Sequence, residues 1–487
     1  MSPCPQVDCL HAAGLSSDQV LLPSETNYAV RQSSYSSRSA QSLQPSCIVQ
    51  PRSSSEVAAV VQSLVAAHIP FAVRSGGHMA WAGANNIGAD GVTVDLGQMD
   101  WVRVLNDKER GEKVVDIGPG TQWGRVYAEL EAHELTVAGG REANVGVAGL
   151  VLGGGMAFFT GRHGLACDNI IEFELVLASG LVVHAGAEGD HADLFRALKG
   201  GGGNFGIVTN FRMRTIAARL VWAGMTIHPK EVVLDAISAL TSFVDDTGVD
   251  VDSNLLCFFT YMPDFKDVVI TGALIQTAGV EEAASYKKWL DMPMISNTCK
   301  KTPISQLAKD FSQARGYYNT WFTATFKNDA RIVARAVDLH EKLVEEFKAL
   351  IPDGDFITQC LFQPFPRLFG QVSAAAGGNM TGIERQQQNG LVWLAVAQVR
   401  TADLEKLTYT RVRDWVHAVR QFAATIEGGI LEWTYLNYAD GSQDPLASYG
   451  VDNVRFMRDI AAKYDRSQVF QTLCPGGFKI SKSSLPN

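Results

Sequence analysis

The stretch FAVRSGGHMAWAG, Phe71 to Gly83, decides how the chain is read. A short apolar run of strand character passes straight into two glycines and a histidine. Glycines let the backbone turn freely and approach a ligand closely. The His78 ring is thereby delivered to whatever the loop embraces. Taken alone, the loop reads first as a strand ending in a turn with a satisfied surface histidine, and the rest of the chain decides between the two.

The 487 residues are 46% hydrophobic and 19% charged, with 45 glycines, a length that suits two or three domains with ample core. A net charge of −9 without a basic stripe argues against a nucleic-acid partner. No apolar run reaches the roughly 18 residues of a membrane span, so no membrane partner is expected. The opening MSPCPQVDCL lacks a basic segment followed by an apolar one, so no signal peptide is read. The default expectation is cytoplasmic, or secreted if the N-terminus was trimmed. The eight cysteines form no C-x-x-C pair and no zinc-spaced cluster with histidine, so no metal is expected. Cys9 and Cys47 flank a Ser-rich entry segment and are either a disulfide or two thiols. One glycosylation sequon, Asn379-Met380-Thr381, is too common a pattern to decide the compartment.

Along the chain, residues 1–45 read as a polar arm. SSSEVAAVVQSLVAAHI is an amphipathic helix with Ser caps and Glu56 in its first turn. PFAVRSGG and GVTVDLGQM are short strands, KVVDIGPGTQWGRVYAELEAH is strand, turn and helix, and IIEFELVLASGLVVHAG is a hairpin turning at Ser179-Gly180. This alternation up to about residue 215 indicates an α+β domain. From 216 to 430, long helical patterns such as DARIVARAVDLHEKLVEEFKAL separate apolar strands such as LLCFFTYM and VWLAVAQV, as expected of a sheet covered by helices. Residues 431–487 form a loop-rich closing segment.

Three further glycine clusters occupy 139–155, 164–169 and 200–206. The last contains Gly201-x-Gly203-x-x-Gly206, which formally matches a dinucleotide fingerprint. A Rossmann loop needs a strand before it and a helix after it. Here ADLFRALK, a helix, precedes and IVTNFRMRT, a strand, follows, so that reading fails. Consecutive glycines can instead present backbone N–H groups as an anion-binding nest. Four such loops in one α+β domain point to an extended dinucleotide.

In order, Phe71–His78, GVTVDL, GPGTQWGRVY, VGVAGLVLGGG, GLACDN, ALKGGGGNFGIVT and YLNYAD resemble a flavin-linked oxidase of the vanillyl-alcohol-oxidase type. The likeness is to its berberine-bridge-like branch, which includes fungal secondary-metabolism oxidases. It runs from about residue 40 to the end and is weakest in the middle. It implies a PCMH-type FAD-binding domain of two α+β subdomains (1–215, rejoined by 431–487). A substrate domain (216–430), an antiparallel sheet covered by helices, would lie over the flavin ring. The cofactor residues it implies are Arg74, Ser75, Gly76, Gly77, His78 and Met79 in the first loop. Gly140, Val145, Gly146, Gly149, Leu150, Gly154 and Gly155 follow in the second, with Asn169, Ile207, Val208 and Asn437 beyond. In the family, the histidine at the position of His78 carries FAD covalently through the C8 methyl group, which raises the flavin's potential.

The sequence departs from the family at one place. Doubly linked members carry a cysteine where EANVGVAG has Glu142, so a single covalent bond through His78 is expected. Val145 stands where a small residue accompanies oxidases and a bulkier one dehydrogenases, and an ordinary core valine remains the other reading. Hydride transfer to a flavin also needs a proton acceptor. In relatives the Asn of Y-x-N-Y meets the flavin and the second Tyr is the base, here Asn437 and Tyr438, with Tyr435 as the other candidate. Read as a strand, TYLNYAD would point Tyr435 and Asn437 one way, with Tyr438 pointing oppositely or turning with the loop.

The resulting expectation is an FAD-dependent oxidase that takes hydride from a small organic molecule and passes electrons to O₂. The alternative is a flavin-containing isomerase or cyclase with no net redox. Partners are a substrate and O₂ for a monomer or homodimer.

Overall fold

The computed structural model describes residues 5–107, 111–246, 248 and 250–485. The first four residues of the quoted N-terminus therefore lie outside the described residues. Ser53 caps the helix Ser54–Ala66 by accepting the Glu56 N–H, and Val57, Val60, Val61 and Leu64 bury one face at helical spacing. That face covers a four-stranded sheet in the order Val20–Leu21, Cys47–Val49, Val92–Asp95, Phe71–Arg74, whose last three strands run parallel.

The residues read as a polar arm are folded where they are described. They make helices Pro5–Ala12, Thr26–Ser33 and Arg38–Gln41, and the strand Val20–Leu21 pairs with Cys47–Val49. A few anchors do this: Leu10, Tyr28 and Tyr35 are buried. Several serines spend their hydroxyls locally, Ser34 donating to the Arg31 carbonyl and Ser37 accepting the Ser39 N–H, while Ser39 donates to Glu405. Cys9 and Cys47 are not joined by a disulfide; the Cys9 thiol donates to the Gln6 carbonyl.

A second sheet, of five antiparallel strands, runs Val102–Asp107, Glu112–Ile117, Ile207–Arg214, Ile170–Val176, Val182–Gly186. The last two are the hairpin expected at Ser179-Gly180, where Gly180 takes φ +83°. Helix Ala192–Leu198 leads into the 200–206 glycines and strand Ile207–Arg214 leaves them, the order that excludes a Rossmann loop.

The third sheet has nine strands, the six longest being Val221–His228, Ser253–Met262, Asp267–Gln276, Tyr318–Lys327, Ile357–Phe365 and Gly390–Val399, all antiparallel to their neighbours. Strand Gly390–Val399 is buried at every residue. Leu391, Trp393, Ala395 and Ala397 pack under helices Val233–Asp246, Ala330–Leu350 and Ala402–Ala424. Val392, Leu394 and Val396 join the other large core, shared with the five-stranded sheet. Both faces are covered, so the strand reads as a continuous apolar run. Trp321 and Gln363 stand opposite Val396 and Val392, on the same face as those residues. No described helix is long and apolar enough to cross a membrane. Asn379 of the sequon is 4% exposed and its amide donates to Asp168 and Ser373, so it is a core residue in the folded chain.

Candidate functional site: a glycine-walled cavity beside His78

Strand Phe71–Arg74 opens into residues 75–79, where Gly77 adopts φ +69°, a conformation that disfavours side chains. A Cβ on Gly76 would stand 2.5 Å from the Gly146 nitrogen, so the two glycine loops meet backbone to backbone. Ser75 Oγ donates to the Pro119 carbonyl at 2.6 Å. The second loop is pinned to helix Trp123–Glu131 by the Trp123 and Gly124 amides, which donate to Val145 and Ala143. Among the described residues, the amides of Gly76, Gly77, His78 and Met79 meet no protein acceptor, as a nest awaiting an anion requires.

These loops wall a cavity of about 320 Å³, within the range of small-molecule sites. Ser75, Gly76, Gly77, His78, Met79, Val145, Gly146, Gly149, Leu150, Ile207, Val208, Asn437, Tyr435 and Tyr438 line it. A Cβ on Gly149 or Gly203 would meet open space. The closing segment supplies Phe478 and Lys479 to the wall. Lys479 is 5% exposed and gives one hydrogen bond, to the Gly203 carbonyl, and no carboxylate among the described residues pairs with it. Burial lowers its ammonium below the ordinary lysine range. A buried cation beside glycine loops suits an anionic ligand group such as a diphosphate, and the donor set fits FAD.

Five expected residues lie outside the cavity wall. The Arg74 guanidinium turns back into the N-terminal region, donating to the Arg31 carbonyl and Ser34 and stacking on Tyr35 at 3.6 Å. Gly140 packs against the Trp123 ring and its carbonyl accepts the Tyr127 hydroxyl. Gly154 and Gly155 turn the chain with φ +99° and +81°. Asn169 donates to the carbonyls of His163 and Leu165 and holds its own loop.

The YLNYAD segment is not a strand. Leu436–Tyr438 form a 3₁₀ turn, with the Tyr438 N–H bonded to the Tyr435 carbonyl. Side chains three apart then share a face, and the two rings meet edge to face at 4.8 Å. Of the two placements open to Tyr438, opposite Tyr435 or turned with the loop, the second is the one found. Tyr435 is 2% exposed, and its oxygen accepts the Met156 N–H at 2.7 Å and the Asn437 amide at 3.2 Å. Burial pushes its phenol well above the ordinary range. Asn437 also donates to the Leu150 carbonyl, tying this turn to the second glycine loop. The Tyr438 oxygen accepts twice, from Arg141 Nη2 and from Gln363 Nε2, each at 2.8 Å. Its ring also meets Trp321 edge to face at 6.1 Å.

On the His78 side, Glu142 Oε2 stands 3.1 Å from His78 Nε2, at ion-pair distance but off the line of a directed hydrogen bond. Burial alone would raise this carboxyl, but His78 and Asn144 outweigh it and hold it below the ordinary glutamate range. Glu142 was expected only as the absence of a cysteine; its contact with the histidine is a finding of the structure. Arg141, Gln363, Trp321 and Lys479 also escaped sequence reasoning. Arg141 alone had a local signal, a charged residue inside a glycine loop.

Residues 45–186 match the FAD binding domain family. The chain is 35% identical over 447 residues to an FAD-dependent monooxygenase, drtC, of Aspergillus calidoustus, covering 91% of this chain and 84% of that protein. The fold is shared with berberine bridge enzyme from Eschscholzia californica, with a TM-score of 0.75, 18% identity and 96% and 97% of the two chains covered. It is shared too with glucooligosaccharide oxidase from Acremonium strictum, which carries a 6-S-cysteinyl, 8α-N1-histidyl FAD. That match has a TM-score of 0.76 at 19% identity, over 99% of this chain and 100% of the other. A glycine-walled cavity with nest and buried cation, in a chain this close to named FAD enzymes, makes the protein an FAD-dependent oxidoreductase. It belongs to the family of the fungal FAD-dependent monooxygenases that it matches along most of their length, and it has the fold of berberine bridge enzyme.

Proposed function

We propose that the chain is an oxidase. FAD is bound covalently through His78 alone, a small secondary metabolite gives up hydride, and dioxygen takes the electrons as hydrogen peroxide. When bound, FAD supplies the hydride acceptor and the route to oxygen. Tyr438 takes the substrate's proton. The observation that carries this role is a phenol oxygen in the cavity wall with two donors converging on it. Both neighbours donate, an arrangement that suits the phenolate, the form of this side chain able to accept a proton. The Arg141 guanidinium stabilises negative charge on that oxygen once the proton leaves. Tyr435 holds the turn and the second loop. Residues 1–215 with 431–487 hold the cofactor. Residues 216–430 cover the substrate with Trp321 and Gln363, a division supported by the nine-stranded sheet running from Val221 to Leu431.

The test is anaerobic mixing with alcohols, amines and phenolic metabolites, followed by admission of oxygen. Flavin bleaching, then peroxide equal to product, supports the oxidase. The name of the Aspergillus relative favours a second reading, a monooxygenase, which oxygen-18 from O₂ in the product would establish. Product without bleaching would mean an isomerase or cyclase.

A further inference from the structure

We propose that Glu142 is the positioning residue for covalent attachment of flavin, holding the His78 imidazole so that Nδ1 attacks the flavin's 8-methyl carbon. The proposal rests on the covalent reading above and assigns this acidic side chain a role of its own.

Glu142 is 8% exposed, and its two oxygens are unequally engaged. Oε1 accepts the Asn144 amide at 2.7 Å, and Asn144 is itself braced on Ser312. Oε2 takes no directed hydrogen bond and faces His78 Nε2. The one cation beside it in sequence, Arg141, is directed to Tyr438. A buried carboxylate without a cation of its own is costly, so the ring is its compensating partner. Among the described residues His78 Nδ1 has no hydrogen-bond partner, and the ring lines the cavity. A carboxylate against one imidazole nitrogen favours the tautomer with hydrogen there and leaves the lone pair on the other.

In the attachment step one C–H bond of the 8-methyl breaks, its proton being released and its electron pair passing into the ring, and the Nδ1 lone pair forms a bond to that carbon. The imidazole becomes cationic as the new bond forms and gives its Nε2 proton to Glu142. The flavin methyl is oxidised by two electrons, and dioxygen accepts them. The methyl hydrogen and the imidazole hydrogen leave with it as hydrogen peroxide, which closes the balance.

Full-length chain from riboflavin-starved cells is mixed with FAD in air, and acid-stable flavin on the His78 peptide is followed with time. Glu142→Gln should slow attachment by about a hundredfold, as loss of a positioned base does, while non-covalent FAD affinity stays as in wild type. Glu142→Asp keeps the carboxylate and should attach at an intermediate rate, a graded rescue that a purely structural role would not give. If Glu142→Gln cannot bind FAD, the Asp variant alone decides. Attachment at the wild-type rate in whichever variant binds FAD overturns the inference and leaves the covalent reading standing. A wild-type protein that releases all its flavin in acid overturns both.

Discussion

Tyr438→Phe removes one oxygen and little else. The ring keeps its edge-to-face contacts with Tyr435 and Trp321. What is lost is the acceptor of two hydrogen bonds, from Arg141 and Gln363. Tyr438 is only half-buried, so water in the cavity can replace that acceptor and the fold should lose about 1 kcal/mol. The chemical step should lose far more. A positioned general base contributes about two to four powers of ten, or about 3 to 5 kcal/mol of barrier. The assay is anaerobic stopped-flow bleaching of the flavin with whichever metabolite reduces the wild type, with flavin content and melting temperature measured in parallel. Tyr435→Phe is the control. It deprives the Met156 N–H of its acceptor and frees Asn437, so it should lower stability more than chemistry. Bleaching at wild-type speed in Tyr438→Phe, with a slow step in Tyr435→Phe, would refute the assignment and move the base by three residues.

Wild-type flavin should stay with the protein after acid precipitation, and His78→Ala should release it, as absorbance of the supernatant will show. Val145→Leu should slow reoxidation of reduced enzyme in air while leaving reduction intact, because Val145 lines the cavity and the added methylene fills it; equal reoxidation removes the residue from oxygen access. Asp95 is fully buried, and burial would raise its carboxyl, but Arg31, Arg74 and Gln50 outweigh that and hold it below the ordinary aspartate value of 3.8. Its folded value lies under its unfolded one, so the stability it adds is complete above the unfolded value and lost as pH falls through the folded one. Asp95→Asn should therefore cost about 3 kcal/mol at neutral pH, the scale of a broken buried pair, and the gap between variant and wild-type melting curves should close below pH of about 4.

Regular elements were legible where one period dominates. Helix Ser54–Ala66 follows from its cap and apolar spacing, and strand Gly390–Val399 from a continuous apolar run. The decoy at Gly201–Gly206 could be rejected because the order of helix and strand is itself in the sequence. The N-terminal region was not legible, because buried anchors such as Leu10, Leu15, Tyr28 and Tyr35 are scattered among serines and leave no periodic pattern. The direction of Tyr438 stayed open between strand parity and a loop turn, and a 3₁₀ turn with its spacing of three decides it. Arg74 sits in the right loop, yet its long side chain reaches back to Arg31 and Ser34. Contacts such as Glu142 with His78 and Arg141 with Tyr438 join residues 64 and 297 positions apart, and no local pattern records them.

Arg141 and Glu142 are neighbours in one loop, and they serve two different ends of the cavity. The guanidinium goes to the phenol oxygen of Tyr438, and the carboxylate goes to the imidazole of His78. Paired with each other, they would neutralise locally and leave both partners bare. The fold prevents this by fixing each separately, the carboxylate through Asn144 and the loop backbone through the Ala143 and Val145 carbonyls on helix Trp123–Glu131. The loop is thus held by its carbonyls while its two charges face outward in different directions. The glycines around them keep the same stretch of main chain close enough to Gly76 that no side chain intervenes. On the roles proposed above, cofactor attachment and proton transfer depend on one loop but on different atoms of it. Damage at Glu142 should appear in how the flavin is held, and damage at Arg141 in how fast it is reduced.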